Sequence, residues 1–143
     1  MNAEDAFLLD ALQDADAVEF VRMLGTVSQT WDDLVDDAKT DDVSAAFMTL
    51  LLELPTNPFY RAHVDRLLPV MRAAVFDWLA SNELQRGDDD DLTLAHVLRD
   101  SLVAVVVECA AITRGNSYAA SNAARIRRYY HDESLAAFKE SIR

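Results

Sequence analysis

Apolar residues recur at steps of three and four along most of this chain. The longest stripe is Ala17, Phe20, Val21, Leu24, Val27, Trp31, Leu34, Val35 and Ala38, which is the spacing of one helix face. It predicts a helix to about Lys39, started by Asp14 or Asp16 as N-cap. Gly25 lies inside it, where it would either permit a close helix crossing or mark a break. Before it, Phe7, Leu8, Ala11 and Leu12 mark the inward face of a shorter helix over 4–14.

The pattern continues with Val43, Ala46, Phe47, Leu50, Leu51 and Leu54, read as the buried face of a helix over about 42–54. Thr40-Asp-Asp42 is its turn and cap, and Pro55 its stop. Asn57-Pro58 restarts the chain, asparagine as N-cap and proline at the first helical position. The next stripe is Tyr60, Val64, Leu67, Met71, Ala74, Val75, Trp78 and Leu79. It runs through Pro69, which predicts a helix over 58–84 kinked there. His63 and Asp65 read as surface residues.

After the loop 85–91, whose aspartates suit a helix N-terminus, the pattern changes. From Ser101 to Ile112 the chain is apolar nearly all round, which marks the central helix of a bundle, expected over about 91–113. His96 and Asp100 stand four residues apart and read as a surface pair. Glu108 interrupts the apolar run and needs a partner or a proton if buried. Gly115 ends this helix, and Asn116 or Ser117 caps the next, over 117–130. A last helix over 132–142, capped by Asp132, turns Leu135, Ala136, Phe138 and Ile142 inward. The expected architecture is a single all-α domain over 1–143, a bundle of about six to seven helices around the central one.

Composition agrees with that class. Among 143 residues there are three glycines and three prolines, too few for a turn-rich β architecture. No apolar run reaches the roughly 18 residues of a membrane span. The acidic start, Met1-Asn-Ala-Glu-Asp5, lacks the basic region of a signal peptide. The one cysteine, Cys109, reads as a reduced core residue of a cytoplasmic protein.

Charge sharpens the picture. The net charge is −12, with 13 acids against 2 bases in residues 1–53 and 6 bases against 3 acids in residues 114–143. Direct nucleic-acid binding is disfavoured by that balance. An acidic front and a basic tail can attract each other, within one chain or between two copies.

The densest acidic stretch is Gln29-Thr-Trp-Asp-Asp-Leu-Val-Asp-Asp37. At about 100° per residue, Asp32 and Asp36 flank the apolar stripe and Asp33 and Asp37 turn towards solvent. Both are like-charge i,i+4 pairs, and the helix C-terminus repels them further. A cation would relieve that repulsion. Asp32 and Asp36, with Glu108 in support, are therefore the candidate Mg²⁺ ligands. Arg125, Arg128 and Tyr129 belong to the one basic aromatic cluster and are the candidate phosphate or anion contacts.

Asp32-Asp-Leu-Val-Asp36 resembles the Asp-Asp-x-x-Asp signature of all-α isoprenoid synthases, which implies a Mg²⁺-bound diphosphate between helices. The chain is under half the usual length for that fold and lacks a second aspartate-rich motif, which argues against a synthase. Asp33-Leu-Val-Asp36 resembles half of the paired acidic motif of all-α nucleotide pyrophosphatases, without its second half. Trp31-Asp-Asp-Leu-Val-Asp36, Asn57-Pro-Phe-Tyr60, Val97-Leu-Arg-Asp-Ser101 and Tyr129-Tyr-His-Asp-Glu133 together resemble small all-α proteins of tailed phages and prophages. That resemblance implies a helical fold and a phage-infected cell or virion as the setting.

Two functions follow as expectations. The preferred one is a non-catalytic interaction or assembly module, a homodimer or a docking protein for a protein partner. The alternative is a Mg²⁺-dependent binder or hydrolase of a diphosphate compound through Asp32 and Asp36. The first is preferred because no complete catalytic set is present.

Overall fold

A computed structural model describes residues 1–142, and among them the chain is all-α with no strand. The helices are α1 (Ala3–Leu12), α2 (Ala15–Asp37), α3 (Val43–Met48), α4 (Pro58–Leu84), α5 (Asp89–Leu98), α6 (Val103–Arg114), α7 (Asn116–Tyr130) and α8 (Leu135–Ile142). Between α3 and α4 the chain makes a π-helical segment, Thr49–Glu53, and a 3₁₀ turn, Leu54–Thr56. No helix is long and apolar enough to cross a membrane among the described residues.

The fold gathers into two compact units, Met1–Val64 and Asp65–Arg143. In the first, α1 and α2 are joined by Gln13 in the left-handed conformation and by Asp14, whose carboxylate accepts from the Ala17 amide at 2.9 Å. The Arg22 guanidinium pairs with Asp5 at 3.0 Å. Leu8, Leu12 and Phe20 are fully buried, and Phe20 stacks on Tyr60 at 5.4 Å between ring centres. After the turn at 38–42 the chain runs back along α2. Asn57 closes this hairpin, its Nδ2 donating to the Asp16 carbonyl at 3.0 Å and its Oδ1 accepting from the Tyr60 amide at 2.9 Å. One buried side chain thus caps α4 and ties it to the start of α2.

Several expectations are corrected in this unit. A Cβ at Gly25 would meet nothing within 4 Å, so the glycine serves no close crossing. Asp42 takes a positive φ of 63° and makes no side-chain cap. The non-helical dihedrals within α4 fall at His63 (φ −127°, ψ 19°) rather than at Pro69, which sits inside regular helix. A proline removes one N–H donor, a loss that a solvated helix face tolerates. The His63 ring is half-buried and lies 4.9 Å from the Phe59 ring, so His63 is no plain surface residue.

In the second unit, Leu67, Ala74 and Ser81 form the buried face of α4. No residue from Leu98 to Arg114 is exposed, which is the centrality expected of the apolar run. The run is not one helix, however. It breaks at 99–102, where Val103, Ala104 and Val105 donate three residues back instead of four. The buried Ser101 hydroxyl donates to the Ala74 carbonyl at 2.6 Å. That bond spends the hydroxyl on α4 instead of leaving it unsatisfied in the core. Gly115, at φ 94°, turns α6 into α7, and neither Asn116 nor Ser117 makes a side-chain cap there. Ser134, not Asp132, caps α8, accepting from the Ala137 amide at 3.0 Å.

Candidate interaction surface

The acidic stretch sits on the last two turns of α2. Buried residues of α2 are confined to its first half: Ala17, Phe20, Val21 and Met23. Further along the same stripe Trp31 is 53% exposed and Val35 48%. The stripe is real but its second half lies uncovered. Asp32 and Asp33 are half-buried, and Asp36 and Asp37 are exposed. Gln29 Nε2 donates to Asp33 Oδ1 at 3.0 Å, one turn along the helix.

Glu108 belongs to the second unit, on α6. Its carboxylate accepts from Arg66 Nε at 3.0 Å and from Arg66 Nη2 at 2.9 Å. Both nitrogens reach the same oxygen, Oε1, and this charge-assisted contact answers the demand that a half-buried glutamate makes. Arg125 and Arg128 lie on exposed turns of α7, and Arg125 Nη1 reaches Asn122 Oδ1 at 3.5 Å. Tyr129 meets Tyr130 edge-on at 5.1 Å. The structure thus puts Asp32 with Asp36 on one helix of the first unit. Arg125, Arg128 and Tyr129 share one helix of the second, where Glu108 is engaged by Arg66. Among the described residues no group of three or more His, Cys, Asp or Glu side chains could hold a metal ion.

A charged cluster that the sequence did not reveal holds α8 in the second unit. Asp100 pairs with His131 Nδ1 at 3.2 Å rather than with His96. His96 is half-buried, and its Nε2 lies 2.8 Å from the Glu133 carbonyl. A carbonyl only accepts, so that nitrogen carries the proton. Arg99 pairs with Glu133 at 2.8 Å and lies over the Phe138 ring at 5.0 Å. Lys139 meets Asp89 at 2.9 Å. Burial raises the Asp100 carboxyl above its ordinary value, with His131 and Arg99 pulling it back down. Burial likewise lowers the His131 imidazole, against the pull of Asp100. His96 and Arg99 both lie against the buried Phe138 ring, so these polar contacts act as a clamp on α8.

What the surface offers instead is apolar area. On α4, Leu68 (51% exposed), Val75 (48%), Phe76 (53%) and Leu79 (48%) fall on one side, away from Leu67, Ala74 and Ser81. On α3 and the π segment, Phe47, Met48, Leu50, Leu51 and Leu52 are all exposed. Periodicity alone places Val75, Leu79, Phe47, Leu50 and Leu51 inside, and the structure corrects it. A periodic stripe reports that a helix has an apolar face, not whether the same molecule covers it. The available signal was the charge-free run from Val43 to Leu52, wider than one buried stripe requires.

Comparison of the chain with protein-family models, with curated proteins and with solved structures gives no match.

Proposed function

We propose that this protein is a non-catalytic assembly module that self-associates, as a homodimer, through the second apolar face of α4. The observation that carries the proposal is that face itself: Leu68, Val75, Phe76 and Leu79, each about half exposed, at the i, i+7, i+8, i+11 positions of one helix side. Contiguous apolar surface of this kind marks protein contact sites. On the same side of the helix stand one acid and one base, Asp65 and Arg72. Two copies packed antiparallel along α4 would bring opposite signs within reach rather than like ones. Arg72 already lies over the Phe76 ring at 4.8 Å, an arrangement that keeps the aromatic partly shielded until a partner arrives. The resemblance of four segments to small phage and prophage proteins fits a role in docking on a virion component or a host factor.

The test is sedimentation equilibrium over a range of concentrations. A monomer–dimer equilibrium is expected for the native chain. The double substitution Val75→Glu and Leu79→Glu should shift it to monomer, with unchanged helicity because both positions are exposed. A native chain that stays monomeric at high concentration removes the proposal.

A further inference from the structure

The α2–α3 hairpin carries a second uncovered face, and its chemistry is different. From Val43 to Leu52 there is no charged side chain. Phe47 and Leu51 are 62% and 54% exposed, and Met48 and Leu52 are 51% and 64% exposed. Each is an i,i+4 pair, and the two pairs lie side by side on the helix, beyond the Ala46 and Leu54 positions that are buried. No residue of the π segment is buried. A helix apolar beyond one stripe is ordinarily covered. On the other arm of the hairpin Trp31 and Val35 are exposed as well.

The rim around this area is acidic. Residues 29–54 hold Asp32, Asp33, Asp36, Asp37, Asp41, Asp42 and Glu53 against Lys39 alone. Asp36, Asp37, Asp41, Asp42 and Glu53 are exposed. The C-terminus of α2 adds its own partial negative charge there.

These two features together select the occupant. A second copy of the hairpin would set aspartates against aspartates, which is costly in a desolvated contact. The basic helix α7 of another copy answers the charge but not the apolar area, because its one exposed large apolar side chain is Tyr129. Nucleic acid and anionic membrane are repelled. We infer that this face receives a basic amphipathic helix of a partner protein, with leucine-type anchors over Phe47, Met48, Leu51 and Leu52 and flanking lysines or arginines against the aspartate rim. Helix-in-groove recognition of this kind reads anchors at i, i+3, i+4 and i+7. Methionine at the contact adapts to differing anchors.

The probe is a synthetic amphipathic peptide of leucine and lysine with leucine at heptad a and d positions. Its binding to the full-length protein is read by fluorescence anisotropy at about 0.15 M salt. Two controls accompany it: the same composition scrambled, and the same pattern with glutamate for lysine. The patterned basic peptide should bind at least about tenfold more tightly than either control. Phe47→Ser with Leu51→Ser should abolish that margin while circular dichroism is unchanged. Asp36→Asn with Asp37→Asn and Asp41→Asn should weaken binding and flatten its salt dependence. Equal binding of the scrambled peptide, or binding that survives Phe47→Ser with Leu51→Ser, overturns the inference. So does conversion of a dimer to monomer by that same pair, which would make the hairpin a self-interface. Val75→Glu with Leu79→Glu leaves peptide binding intact, so this inference and the assembly through α4 fail separately.

Discussion

Asn57 does two jobs with one amide, since its oxygen caps α4 and its nitrogen holds the Asp16 carbonyl. Asn57→Ala removes both bonds in a buried position and should cost about 2–3 kcal/mol in urea denaturation. An aspartate at this position keeps the cap and loses the donor, so Asn57→Asp should recover part of that. His131 supplies a pH dependence whose sign follows from its burial. Its folded value lies below the ordinary 6.5, so the unfolded chain binds this proton more readily. The stability it contributes is present above 6.5 and is lost as pH falls towards the folded value. Asp100 acts oppositely. Its folded value lies above 3.8, so the folded state takes up that proton first, and the loss is partly offset at lower pH. Tm should therefore decline on acidification below 6.5, and His131→Gln should flatten the decline. Asp36 sits exposed near the C-terminus of α2, one turn after Asp32. Repulsion within the helix predicts that Asp36→Asn raises stability by about 0.3 kcal/mol, less at high salt. A Mg²⁺ site would give the opposite signature, a Mg²⁺-dependent rise in Tm that the substitution abolishes.

At the scale of elements, caps and stops were readable because they act through neighbours in sequence. Asp14, Asn57 and Gly115 punctuate the helices where their side-chain chemistry or φ requires it. Asp88 and Asp91 form a reciprocal capping box, with bonds of 2.9 and 3.3 Å. Asp88→Ala should cost about 1 kcal/mol and fray α5 in hydrogen exchange. Other element features were not readable. The break between α5 and α6 depends on Ser101 reaching the carbonyl of Ala74, 27 residues away. Nothing local forbids a continuous helix through Leu102, so apolar pattern alone predicts one. The kink at His63 is likewise absent from sequence signals, whereas Pro69 is an obvious but inactive one.

For the whole molecule, charge and apolar area divide unevenly. The first unit holds 13 acids against 3 bases, the second 12 against 10. The two proposed interfaces follow that division, the α4 face for a second copy and the acidic hairpin for a basic partner. Self-association should accordingly depend weakly on salt, as sedimentation at low and high ionic strength would show. The helical class, the positions of most helices and the charge asymmetry were determined by the sequence alone, because propensity, periodicity and capping are short-range and additive along a chain. Tertiary structure alone decided which apolar faces are covered, that Arg66 meets Glu108 and that Asp100 meets His131. Those outcomes depend on which distant segments pack together, and a helical stripe offers the same face to a core, to a partner or to water.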